Sequence, residues 1–89
     1  MLARHIIFTG TVQGVGFRFA TLRYARRHDL TGFVRNQPDG TVEMFAQGEG
    51  EDIDACLADL KDYFGDYIRD VKITDQPPDS ALRDFQITH

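Results

Sequence analysis

Between His5 and Val12 (HIIFTGTV) β-branched and aromatic residues dominate, and the run ends in Gln13-Gly14-Val15-Gly16, which predicts a strand feeding a glycine loop. From Phe17 to about His28 glycine disappears. Leu22 and Ala25, with Phe19 and Tyr24, can then form an apolar stripe while the arginines between them face water, which predicts a helix. Thr31 to Gln37 and Thr41 to Ala46 read as two strands joined by Pro38-Asp39-Gly40. In that turn Pro presets φ, Asp bonds back to the backbone and Gly takes positive φ.

After Gln47-Gly48-Glu49-Gly50, the residues Ile53, Cys56, Leu57, Leu60 and Phe64 fall at steps of three and four, so a second amphipathic helix is expected. Glu51, Asp52 and Asp54 suit its positive end, and Gly65 is placed to end it in the left-handed region. Ile68 to Thr74 reads as a strand, Gln76-Pro77-Pro78-Asp79-Ser80 as a loop, and Phe85 with Ile87 as a short last strand. The order β-α-β-β-α-β with an added strand predicts an α+β fold. It is a ferredoxin-like split β-α-β sandwich, with an antiparallel sheet and two helices packed on one face.

Composition narrows the class. Eighty-nine residues, 42% apolar and 27% charged, fit one domain over residues 1–89 with a single modest core. Apolar runs are only a few residues long and no charged leader precedes one, so no membrane association and a cytoplasmic location are expected. The single cysteine, Cys56, has no partner for an internal disulfide. It and three scattered histidines (His5, His28, His89) make no zinc-like ladder, so no metal and no cofactor are expected.

The net charge of -4 hides an asymmetry. Residues 1–37 carry six arginines against Asp29 alone, a local +5, whereas residues 38–89 carry four basic and thirteen acidic residues, a local -9. Such a split can draw a small anion to the first half while the acidic half repels nucleic acid, although from charge alone two solvated helix faces of unlike sign are the better account. An RNA reader on this fold would also need the Lys/Arg-Gly-Phe/Tyr-Gly/Ala-Phe signature, which is absent.

Candidate chemistry concentrates in Gly10-Thr11-Val12-Gln13-Gly14-Val15-Gly16-Phe17-Arg18. Glycines at 14 and 16 let successive N–H groups turn into one concavity that opens onto a helix N-terminus, and the Arg18 fork in the first turn can grip anionic oxygens. A glycine loop before a helix is a common feature and by itself says little. Asn36, just before a Pro-Asp-Gly turn, reads on its own as a turn residue; in a strand it shares the face of Val34 and can point across to the loop.

Val12-Gln13-Gly14-Val15-Gly16-Phe17-Arg18, together with Gly32-Phe33-Val34-Arg35-Asn36 and the following Gly40, Val42 and Gly48, resembles the two signatures of the acylphosphatase family. The resemblance spans nearly the whole chain. It is weaker after Gly65, where Gly65-Asp66 replaces the family's Gly-Pro. It implies a hydrolase of small acyl phosphates that releases a carboxylate and inorganic phosphate by metal-free attack of a positioned water. On matching positions, Arg18 would bind phosphate with the amides of Gly14, Val15, Gly16, Phe17 and Arg18, and Asn36 would orient the water. Such a leaving group needs little acid catalysis, so positioning and charge stabilisation suffice.

Three positions depart from the family pattern. His28 and Asp29 stand at the end of the first helix where an apolar residue and glycine are usual, and Gln37 stands where threonine is common. His28 is expected half-buried, Asp29 is expected to pay for a left-handed conformation, and Cys56 is expected in the core. The alternative function is a non-catalytic anion or carbamoyl-phosphate binding module. A further one is a fragment of a larger carbamoyltransferase maturation protein, some of which begin with a similar module; a free-standing monomeric enzyme is the simpler expectation.

Overall fold

The computed structural model describes residues 1–89. Strand β1 spans Leu2–Gly10, helix α1 Phe17–Arg27, β2 Thr31–Asn36, β3 Val42–Gly48, α2 Gly50–Phe64, β4 Ile68–Gln76 and β5 Phe85–Ile87. The strands form one sheet in the order β4-β1-β3-β2-β5. The first four pair antiparallel, as expected. The expectation of a wholly antiparallel sheet is corrected at one edge, where β5 runs parallel to β2, with Gly32 opposite Phe85 and Val34 opposite Ile87. The cause is the direction of approach: the segment after β4 crosses the sheet end, held by Gln47, whose side chain accepts from the Asp79 N–H at 2.8 Å and donates to the Asp79 carbonyl at 2.9 Å.

Alternation along the strands separates two faces. Ile6 and Phe8, Val34, and Val42, Met44 and Ala46 are fully buried, and with Phe85 they meet Phe17, Ala20 and Ala25 of α1 and Ile53, Cys56, Leu57, Leu60 and Phe64 of α2 in one core. The opposite face carries Phe33 stacked on Phe45 at 5.9 Å and a polar cluster around Glu43. Both β1 and β2 are antiparallel to β3, and Phe8 and Asn36 are each register partners of Val42. The loop leaving β1 and the last residue of β2 therefore emerge at the same end of the sheet.

Helix α1 corrects one expected contact. Phe17, Ala20, Thr21 and Ala25 form its buried stripe, and Leu22 and Tyr24 pack at its margin. Phe19, expected in that stripe, is 68% exposed. Two residues after Phe17 it lies about 200° round the helix, on the far side from the core. The helix ends in a Schellman arrangement: Leu30 N–H donates to Ala25 O at 2.9 Å, Asp29 N–H donates to Arg26 O at 3.2 Å, and Asp29 takes φ 57°. His28 is half-buried, its Nε2 2.8 Å from Asp59 Oδ2 of α2. Helix α2 ends at Gly65 as expected, but with φ 52° and ψ -124° the residue leaves the left-handed helical region and opens a 3-10 turn over Gly65–Tyr67.

Candidate active site

Strand β1 ends earlier than the sequence pattern indicates, and Val12, expected as its last residue, instead drops into the core at 1% exposure. Thr11 N–H is held by Tyr67 O at 2.8 Å, and the chain then turns through Gly14 (φ 77°) and Gly16 (φ 79°) into α1. A side chain at either glycine would meet open space but would carry a left-handed backbone, so conformation and not crowding favours glycine there. Phe17 anchors the turn from beneath, with its ring 4.8 Å from both Phe8 and Phe64. A rigid core therefore supports a loop whose polar groups face outward.

Gly16 caps α1 with no side-chain hydrogen bond, and no acidic residue occupies the first turn. The N–H groups of Gly14, Val15, Gly16, Phe17 and Arg18 donate to no acceptor in the chain. Such a run of free donors at the positive end of a helix dipole has the chemistry that suits an anion. Arg18 is half-buried beside it and takes no part in the six salt bridges of the molecule. Arg4, Arg26 and Arg35 are each neutralised by a carboxylate, so the unpaired positive charge of the first half lies on α1 at Arg18, Arg23 and Arg27.

Gly14, Gly16, Phe17, Arg18 and Asn36, all singled out from sequence, line one cavity of about 90 Å³ together with Val12 and Phe19. Val15 is outside that lining, its side chain packed against the edge of the core. Asn36 Oδ1 is buried without a hydrogen-bond partner in the chain, and is the one such side-chain atom in the molecule. An orphaned buried acceptor is costly in a folded protein, and this one belongs to a residue that lines the same cavity as the free donors. A wider groove of about 350 Å³ between Phe33 and Leu82 has no comparable set of convergent free donors, and its acid, Asp84, already binds Arg26 and the Phe85 N–H.

Two residues hold the cavity in shape: Gln13, which carries no role in the sequence reading, and Asp39, which bonds back to the turn backbone as expected. Gln13 Nε2 donates to Gln37 O at 2.8 Å and to Thr41 O at 2.9 Å, fastening the loop to the hairpin that bears Asn36. Its place inside the Val12–Arg18 signature was the available signal. Asp39 Oδ1 accepts from Thr41 N–H at 3.0 Å and Thr41 Oγ1 at 2.6 Å, which closes the turn and holds the Asp39 carboxyl below the ordinary carboxylate range. Gln37, in the position where threonine is usual, sends its amide the other way to Glu43 Oε1 at 2.8 Å.

The remaining reactive types are structural. Cys56 is fully buried, and burial with the nearby Asp59 charge pushes its thiol up to about 12, so it stays protonated. His5 lies 2.6 Å from Glu43 on the opposite face of the sheet. No group of three or more histidine, cysteine or acidic side chains comes together that could hold a metal ion.

Fold and cavity define a small α+β protein with an anion-sized site at a helix N-terminus, and comparison with known proteins narrows this class. The acylphosphatase family model matches residues 4–87. A Chlorobaculum tepidum acylphosphatase is 40% identical over 86 residues, covering 93% of this chain and 91% of that protein; one from Bacillus licheniformis is 39% identical over the full length of both. The crystal structure of acylphosphatase from Bacillus subtilis superposes with a TM-score of 0.92 at 31% identity, covering each chain completely. The chain also matches 12% of the longer T. kodakarensis HypF, with a TM-score of 0.86 at 35% identity. The chain belongs to the acylphosphatase family, and is a hydrolase acting on the carboxyl–phosphate bond of acyl phosphates.

Proposed function

We propose that Arg18 and the amides from Gly14 to Arg18 hold the phosphoryl group of a small acyl phosphate while Asn36 positions the water that attacks it. The observation that carries this reading is the convergence on one cavity of an unpaired guanidinium, a run of free N–H donors and Asn36, whose carboxamide oxygen has no partner in the chain. The water donates a hydrogen bond to Oδ1, which turns an oxygen lone pair toward phosphorus; a carboxamide orients the water without acting as a base. The new P–O bond forms as the bond to the carboxyl oxygen breaks. The carboxylate leaves with the electron pair, and the protons of the water end on inorganic phosphate or in solvent. Charge on the equatorial oxygens meets donors already in place, so little reorganisation is needed. The reaction proceeds without metal and without a covalent intermediate.

Arg18→Lys tests the binding role. A point charge cannot replace a fork that meets two oxygens at once, so kcat/KM is expected to fall by on the order of 10²-fold, and competitive inhibition by inorganic phosphate to weaken in parallel. Unchanged phosphate inhibition in a folded variant would remove Arg18 from the site. The same reading takes residues 1–89 as one domain that acts as a monomer in the cytoplasm and does not bind nucleic acid. A net charge of -4 and a core closed within the chain support it.

A further inference from the structure

Phe19 is the one phenylalanine without a structural occupation. Of the seven in the chain, Phe85 is fully buried, while Phe8, Phe17, Phe33, Phe45 and Phe64 are each paired with another ring. Phe19 is 68% exposed, stacks on no ring and lies under no guanidinium. Its neighbour one turn on, Arg23, leans over Tyr24 at 5.3 Å instead. Folding gains little from a large apolar ring left in water, yet this ring lies in the wall of the cavity that holds Arg18 and Asn36.

The cavity also dictates where the rest of the substrate must go. At about 90 Å³ the cavity is the smaller of the two in the molecule and is on the scale of a phosphoryl group, so a bulky acyl group extends toward its open mouth. The acyl group therefore projects from the cavity and meets the rim. Of the apolar residues in the wall, Val12 and Phe17 are each only 1% exposed, committed to the core, so Phe19 alone offers a free apolar surface there.

We propose that Phe19 is the platform on which the acyl group rests, making the enzyme favour acyl phosphates with a flat apolar acyl group over those with a small polar one. This rests on the reading of the cavity as the phosphoryl site. An aromatic acyl group stacked on the ring gains dispersion and loses hydrated apolar area, whereas an acetyl group barely reaches it. Phe19 is thus a specificity residue for the acyl group and has no part in holding phosphate.

Initial rates on benzoyl phosphate and on acetyl phosphate, for wild type, Phe19→Ala and Phe19→Tyr, test this, with inhibition by inorganic phosphate as a control. Because Phe19 is exposed, its truncation leaves the core intact. Phe19→Ala should lower kcat/KM on benzoyl phosphate about tenfold, mainly through KM, with less than a twofold change on acetyl phosphate or in phosphate inhibition. Phe19→Tyr should retain the wild-type preference. An equal loss on both substrates, or no loss on either, would remove the platform and leave the phosphoryl site standing. Failure of the wild type to hydrolyse either compound would overturn both.

Discussion

The side-chain amide of Gln13 donates a 2.9 Å hydrogen bond to the carbonyl of Thr41, spanning from the glycine loop to the residue just before β3 in the hairpin that carries Asn36. A second bond to Gln37 O, at 2.8 Å, lies one residue from Asn36 itself. Loop and hairpin are distant in sequence, and beyond the sheet and the shared core these are the hydrogen bonds that join them directly. Gln13 thus ties the loop to the residues flanking Asn36, and under the proposed roles it fixes where Asn36 stands relative to the phosphoryl group.

Gln13→Ala is therefore expected to act on turnover more than on binding. The cradle amides and Arg18 remain, so inhibition by inorganic phosphate should change less than about threefold, while kcat falls on the order of tenfold from a misplaced Asn36. Steady-state kinetics with phosphate as inhibitor separate the two. A loss confined to phosphate affinity would show that Gln13 shapes the cradle alone.

Glu43 gives the molecule a pH dependence away from the site. Burial raises its pKa, but hydrogen bonds from His5 and Arg35 and the Arg35 charge outweigh that, leaving it below the ordinary carboxylate value. A lowered folded-state pKa means that the cluster contributes fully above the ordinary carboxylate value of about 4.5 and that its contribution is lost as pH falls through the lowered value. Glu43→Gln should cost about 1 kcal/mol in urea unfolding at pH 7, with the difference from wild type shrinking as the pH falls through the acid range. A difference constant from pH 7 to pH 3 would contradict this account.

Asp29 sits at φ 57° in the left-handed turn that ends α1, where it has no side-chain hydrogen bond to offset the cost. Asp29→Gly is expected to raise stability by about 0.5–1 kcal/mol without changing turnover, since the Schellman bonds of Asp29 and Leu30 use only the backbone. Chemical denaturation reads the gain. Destabilisation would mean that the aspartate side chain contributes something its backbone conformation does not reveal.

Much of this was legible in the chain because it is written locally. The 31–46 hairpin follows from Pro38-Asp39-Gly40, α2 from the three- and four-residue spacing of Ile53 to Phe64, and the end of α1 from the backbone demand at Asp29. The loop and Asn36 were legible as a pair through their signatures, and the sheet places both beside Val42. What escaped depends on long-range geometry. Phe19 reads as core because the exact phase of an eleven-residue helix is fixed by Phe17 meeting Phe8 and Phe64, not by composition. The parallel pairing of β5 depends on how the 77–84 segment crosses the sheet, and Gln13's role depends on carbonyls more than twenty residues away.

The central claim is that a water held by Asn36 attacks a phosphoryl group held by the loop and Arg18. Hydrolysis of benzoyl phosphate by wild type and Asn36→Ala, each with and without EDTA and with inorganic phosphate as inhibitor, tests it most directly. The account predicts EDTA-resistant turnover by the wild type, a kcat lower by ~10²-fold or more in the variant, and phosphate inhibition nearly unchanged. Wild-type turnover that EDTA abolishes and added metal restores, or a variant that keeps its kcat while losing phosphate affinity, would contradict it.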